Sequence, residues 1–320
     1  MSASGGNRAI VAALLANLGI AVTKFIAFAF SGSSSMLAEG VHSLADTSNQ
    51  GLLLLGGRQS RKKADENHPF GFGRERYVYA FVVSIILFSI GGVFSLYEGY
   101  EKLHDPHELT NAWLPIVVLL IAIVLESFSF RTAIKESNHV RGKQGWVEFV
   151  RRAKAPELPV VLLEDFAALI GLVLALLGVG LTVITGNPVF DAIGTLCIGV
   201  LLVLVAIVLG IETKSLLVGE GATPGDTNAI RDAINANDKV EALIHMKTLY
   251  LGPDELLVGA KVAFARTEQL TEVAHSINQL ELAIREAVPI ARVIYIEPDV
   301  YIQPTDGNPP TDSFVIKAAD

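Results

Sequence analysis

Charge is scarce in this sequence. Charged residues fill 18% of the 320 positions and hydrophobic residues 51%, whereas an average soluble domain carries about 25% charged residues. That deficit argues against an all-soluble chain and points to lipid. Cysteine is scarcer still: Cys197 is alone, which excludes a disulfide framework or a cysteine metal cluster within one chain. No Gly-x-x-x-x-Gly-Lys-Ser/Thr phosphate loop occurs, so ATP is not expected to drive the protein directly. No His-Glu-x-x-His, no Gly-x-Ser-x-Gly and no partner set for Cys197 is present, so an intramembrane enzyme is not indicated. Positive charge is also lacking where a soluble partner would meet it. Residues 213–320 hold 9 Lys+Arg against 16 Asp+Glu. This argues against nucleic acid, which needs a basic face, and suits attraction of cations.

Long apolar runs fill the first two thirds. A membrane helix needs about 20 mostly apolar residues. Six segments qualify: Ala9–Phe30, Met36–Gly57, Tyr77–Tyr100, Trp113–Ala133, Pro159–Ile184 and Val189–Ile211. The polar stretch Met1–Asn7 is short and the run after it too long for a signal sequence, so that run reads as the first membrane helix. Lys and Arg near helix ends set orientation. The second-to-third connection carries Arg58, Arg61, Lys62, Lys63, Arg74 and Arg76. The fourth-to-fifth carries Lys135, Arg141, Lys143, Arg151, Arg152 and Lys154. The alternate loops hold only Lys102. Both termini and the C-terminal part are therefore expected in the cytoplasm. Gly145–Lys154 mixes Trp146, Val147, Phe149 and Val150 with basic residues, which suits a short interfacial amphipathic helix or a solvated connector.

From Thr223 the pattern changes. Thr223–Asn235 predicts a helix with Thr223–Pro224 as its start. Val240–Leu251 and Glu255–Ala265 alternate around Gly252–Pro253–Asp254 and predict a hairpin. Leu270–Val288 is an amphipathic helix and Ala291–Ile302 a strand. The expected organisation is a six-helix membrane domain over 1–212 and a cytoplasmic, ferredoxin-like α-β-β-α-β domain over 213–303. A disordered tail over 304–320, rich in Pro, Gly, Asn and Asp, completes it.

An ionised side chain at mid-membrane costs about 2.5–3.5 kcal/mol even on a lenient scale, so each one needs a reason. His42 and Asp46 stand four apart in the second run and share a helical face, with Glu39 one turn earlier. Glu164 and Asp165 stand in the fifth run with nothing basic in its span. Carboxylates that repel one another make little sense in lipid unless a divalent cation or protons neutralise them. Imidazole nitrogen with carboxylate oxygens is an ordinary zinc set, and tetrahedral geometry takes four ligands.

The stretch Ser35-Met-Leu-Ala-Glu-Gly-Val-His-Ser-Leu-Ala-Asp46 resembles the second-helix signature of the cation diffusion facilitator family. Ala64-Asp-Glu-Asn-His-Pro-Phe-Gly-Phe-Gly-Arg74 resembles that family's following loop. Ala155-Pro-Glu-Leu-Pro-Val-Val-Leu-Leu-Glu-Asp165 is similar to a zinc-transporting subgroup that includes a mitochondrial transporter. The resemblance implies six helices, a cytoplasmic α+β domain, a homodimer and proton-coupled efflux of a divalent transition metal. Zinc is the ion it implies first, with manganese, iron, cobalt or cadmium as alternatives. It places the transport site at His42, Asp46 and Asp165. Val161 stands where a fourth ligand is expected, so Glu164 becomes the candidate, and Asn17 a further oxygen donor. It places a loop site at Asp65 and His68, weakened by Phe72, and a cytoplasmic site at His245, His275, Glu297 and Asp299, with Lys261 where a ligand often sits. Asp191 reads as a helix-start residue, and His104, Asp105 and His107 as solvated loop residues. The membrane implied is a bacterial inner membrane, or that of an organelle. A membrane metal sensor that binds without transporting is the alternative from another class.

Overall fold

The computed structural model describes residues 3–106, 109, 111 and 113–300, with side chains described from Asn17 onward. The expectations for His107 and for the 304–320 tail fall outside these residues. The helices α1 (Ala3–Ser31), α2 (Ser34–Gln59), α3 (Glu75–Ile86), α4 (Phe94–His104), α5 (Trp113–Arg141), α6 (Trp146–Arg152), α7 (Glu157–Thr185) and α8 (Val189–Val218) come first. Then follow α9 (Pro224–Asn235), β1 (Val240–Gly252), β2 (Glu255–Phe264), α10 (Leu270–Ala287) and β3 (Ala291–Asp299). The chain forms two compact units. One takes in the residues through Ser60 and Glu75–Lys214; the other takes in Arg61–Arg74 and the chain from Ser215.

In the first unit, four helical rods are long and apolar enough to cross a membrane: Glu75–His104, α5, α7 and α8. The apolar stretch of α1 among the described residues, Asn17–Ser31, is shorter. Helix α2 misses that measure because Glu39, His42, Asp46, Asn49 and Gln50 interrupt it. Large apolar side chains point outward, among them Phe128, Leu177, Leu204 and Ile211. Polar ones turn inward, the reverse of a soluble core and the pattern that lipid imposes. The rod predicted over Tyr77–Tyr100 is not one uninterrupted α-helix. Leu87–Val93 is wound as a π-helix between α3 and α4. Such turns are rare and cluster at functional sites.

Glycines let α4 and α8 meet backbone to backbone. A Cβ at Gly99 would stand 2.9 Å from the Leu196 nitrogen, and one at Gly199 2.8 Å from the Leu96 nitrogen. Small residues on both sides are how membrane helices approach closely.

Asp191 has a different role from the one its sequence position suggests. It does begin α8, but its carboxylate caps α2. Oδ1 accepts from the Ser33 hydroxyl at 2.9 Å, and Oδ2 from the Ser34 amide at 2.7 Å and the Ser34 hydroxyl at 3.0 Å. The N-terminal amides of a helix lack partners within it, and an anion there also meets the favourable end of the macrodipole. Hydrogen bonds to a charged group contribute about 1.5–3 kcal/mol each. Asp191→Ala is therefore expected to lower the stability of the solubilised protein by about 3 kcal/mol or more, read as a drop in thermal midpoint. An unchanged midpoint would show that water or Thr195 replaces the cap.

In the second unit, β1 pairs antiparallel with β2, and β2 pairs parallel with β3 across the α10 crossover. Ile230 and Ile234 of α9 and Leu280 and Ile284 of α10 pack with Leu256, Val258, Ala260 and Val262 of β2. Both helices thus cover one face of the sheet, and the odd-numbered residues of β2 face away from them. The 61–74 segment belongs here through a backbone contact: a Cβ on Gly73 would lie 2.6 Å from the Leu251 carbonyl oxygen.

Candidate functional site

Helix α2 carries most of the buried chemistry. Its face at Glu39, His42, Asp46 and Asn49 repeats every three to four residues, and α1, α3 and α7 pack around it. His42 is 1% exposed. Its Nε2 lies 3.4 Å from Oδ2 of Asp46 but is not aligned to donate to it, so neither ring nitrogen has a hydrogen-bond partner. Oδ1 of Asp46 is also buried and unpartnered. Unsatisfied buried polar groups cost about 1–3 kcal/mol each, so three on neighbouring side chains mark a place kept for something other than stability.

A small polar cavity opens beside Asp46. Asn17, Ile20, Ser43, Asp46, Gln50, Glu126, Ser129, Glu164 and Asp165 line it, so α1, α2, α5 and α7 all contribute. Its volume of about 20 Å³ holds one water-sized occupant. The carboxylates of α7 are held in place: Asn49 donates to Oε1 of Glu164 at 2.7 Å, and Ser129 to Oδ2 of Asp165 at 2.9 Å. Asn17 donates to Gln50 at 3.2 Å. Val161 does not line the cavity; it packs with Phe130, Ile134 and Phe149. Among the described residues, no three His, Cys, Asp or Glu side chains are drawn close enough to grip an ion in this conformation.

Sequence reasoning passed over two charges here. Glu126 sits in the middle of α5, and Lys24 in the apolar run of α1. Lys24 is 3% exposed and donates to Oε2 of Glu39 at 2.9 Å and to the Ser43 hydroxyl at 2.7 Å. The rule applied to Asp46 and Asp165, that mid-membrane charge needs a reason, would have found both. Glu39 reaches α7, where a Cβ on Gly171 would stand 2.7 Å from its Oε1.

The other candidates lie in the second unit. Asp65 and His68 are joined to each other, Nδ1 to Oδ1 at 3.1 Å, and the His68 ring lies against Phe72. The backbone amide of His68, donating to Asp65, holds that carboxyl below the usual range. His245, Lys261 and Glu297 form one row across the three strands, on the face that the helices leave open. Lys261 pairs with Glu297 and Asp299, both at 3.1 Å, and these bonds raise the lysine pKa. The lysine thus stands as counter-ion to the two carboxylates. His275 is on α10, which covers the opposite face, and its Nε2 meets Gln279 at 3.0 Å. Within one chain it does not join the row.

A buried acidic cavity with a histidine beside it thus lies in a bundle with four rods long and apolar enough to cross a membrane. The family profile of the cation efflux transmembrane domain matches residues 10–218. The chain belongs to this family of transporters, the cation diffusion facilitators, and is an integral membrane protein. Human mitochondrial proton-coupled zinc antiporter is 33% identical over 243 residues, covering 75% of this chain and 43% of the relative. Metal tolerance protein C4 of Arabidopsis thaliana is 30% identical over 259 residues, covering 80% and 57%. Cation-efflux pump FieF of Escherichia coli is 26% identical over 305 residues, covering 93% and 94%. The chain thus spans less than half the length of the antiporter it matches.

Proposed function

We propose that this protein exports a divalent transition-metal ion, zinc first, in exchange for protons by alternating access. The observation that carries the reading is the cavity where Asp46, Glu164 and Asp165 converge inside the helical bundle. His42, Asp46, Asp165 and Glu164 are the proposed ligands. Metal needs a neutral imidazole and ionised carboxylates, so metal and protons compete for the same atoms. That competition suffices for antiport: metal binds from the cytoplasm and leaves on the far side as protons take its place. The names of the zinc antiporter and the efflux pump among the relatives support this direction. The oxygen-rich donor set supports a second reading, manganese or iron on the same site, since carboxylates suit harder ions.

The proposed organisation has six spans in a transport domain over 1–212 and both termini in the cytoplasm. A ferredoxin-like domain over 213–303 joins two copies, since isologous dimers are the commonest oligomers. A bacterial inner membrane or an organelle membrane fits, the latter supported by the mitochondrial relative. Asp65 with His68, and His245, His275, Glu297 and Asp299, are secondary metal candidates. For the cytoplasmic set, His275 would have to come from a different copy or after rearrangement.

The test is metal-driven proton flux in proteoliposomes with zinc, manganese, iron and cadmium in turn. Zinc is expected to give the largest flux, and Asp165→Ala to abolish it. Binding without flux for every ion, from folded protein, would replace transport with sensing.

A further inference from the structure

We propose that Glu126 is a direct ligand of the transported ion, so that the site draws carboxylates from three helices, α2, α5 and α7. The inference rests on the cavity being the transport site and adds to it a residue outside the α2–α7 pair.

Glu126 lies within the apolar helix α5, where an ionised carboxylate costs about 2.5–3.5 kcal/mol. Among the described residues it has no hydrogen bond and no ion pair. A packing role does not explain it, because an apolar side chain of that length would do the same at no cost. Yet its side chain lines the same cavity as Asp46, Glu164 and Asp165. Ser129 is three residues on, on the same face of α5, and already reaches Oδ2 of Asp165 at 2.9 Å. The face that carries Glu126 is therefore pressed against the α7 carboxylates.

Donor availability points the same way. One oxygen of Glu164 is taken by Asn49, and one of Asp165 by Ser129. Both oxygens of Glu126 are uncommitted. A cavity of about 20 Å³ admits a bare ion or one water but not a hydrated ion. An ion entering it sheds its water and needs protein oxygens in exchange. The donors now stand apart, and a glutamate has the extra methylene to close that gap from the third side. His42 stands beside the cavity without lining it, and its lack of partners adds to the case. It is 1% exposed, has no partner for either nitrogen, and faces the cavity-lining Asp46 at 3.4 Å.

The test is calorimetric titration of the full-length chain in detergent with zinc chloride, then manganese chloride. All proteins carry His245→Ala and His275→Ala, which removes the imidazoles of the secondary set. Glu126→Gln is expected to weaken zinc binding tenfold or more, and Glu126→Asp, which keeps the charge, to lie between Gln and parent. X-ray absorption of the zinc-loaded protein is expected to lose an oxygen neighbour in Glu126→Gln. Parent-like affinity in Glu126→Gln, with binding lost in Asp46→Asn, would overturn the role of Glu126 and leave the cavity as the site. Parent-like affinity in both variants would mean that the cavity is not the site. If Glu126→Gln does not fold, Glu126→Asp decides: affinity equal to the parent despite the shorter reach overturns the proposal.

Discussion

Replacing Asp46 with alanine is expected to reduce zinc-driven proton flux to the level of protein-free vesicles. Asp46 both faces His42, at 3.4 Å, and lines the acidic cavity. Its Oδ1 is buried and unpartnered, so the resting protein gains little from it. Removing that atom should cost binding and transport but little stability. Even residues that only support a metal ligand are worth about 10–100-fold in affinity or activity, so loss of the ligand itself should exceed 100-fold. Flux measured with a pH-sensitive dye inside the vesicles, alongside a thermal melt, separates the two effects. Flux retained at more than a tenth of the parent's would place the site elsewhere.

Lys24→Met is expected to have the opposite profile, a large loss of stability. The Lys24 and Glu39 side chains are 3% and 0% exposed, and the pair is 2.9 Å apart. Breaking a buried pair by removing one partner costs about 3–5 kcal/mol, because the remaining charge is stranded. Replacing both with apolar or neutral groups is often close to neutral. Lys24→Met should therefore lower the unfolding midpoint sharply, and adding Glu39→Gln should restore much of the loss. If the double variant is no better than the single one, the lysine contributes through Ser43 or through shape, not through the ion pair.

The two units differ in how much of them the sequence discloses. In the second, polar and apolar residues alternate against water, so β1, β2 and α10 fall within one or two residues of their predicted ends. In the first, long apolar runs dominate the helices, and their uniformity hides both pairing and helical phase. The π segment at Leu87–Val93 lies in a run with no periodicity to betray it. Asp191 caps a helix that begins 157 positions earlier, a partnership no local pattern encodes. The candidate site divides in the same way. His42, Asp46, Glu164 and Asp165 stand out by charge and spacing. Glu126 and Lys24 were equally visible as charges, but their meaning depends on which helices α5 and α1 lie against. The row of His245, Lys261 and Glu297 needed strand register, which a hairpin alone does not give for β3.

The π turn has a geometric consequence. It fits one more residue than an α turn would, and one residue is about 100° of rotation. The rod Glu75–His104 is therefore two stacked cylinders out of step with each other. The first, α3, presents Tyr77, Ala80, Val83 and Ser84 as its buried side, and the second, α4, presents Ser95 and Gly99. A straight helix would hold those two stripes in a fixed relation. Both halves meet α2 and α8: α3 and α4 each pack on α2, Ser84 of α3 lies near Gly210 of α8, and Gly99 of α4 near Leu196 of α8. The joint sits beside the site: the position a Cβ would take at Gly91 is 4.0 Å from Nδ1 of His42. The step in the rod and the unpartnered histidine are thus neighbours, and a change of winding at Leu87–Val93 would reach the ring of His42 as well as Leu202 and Val203 of α8.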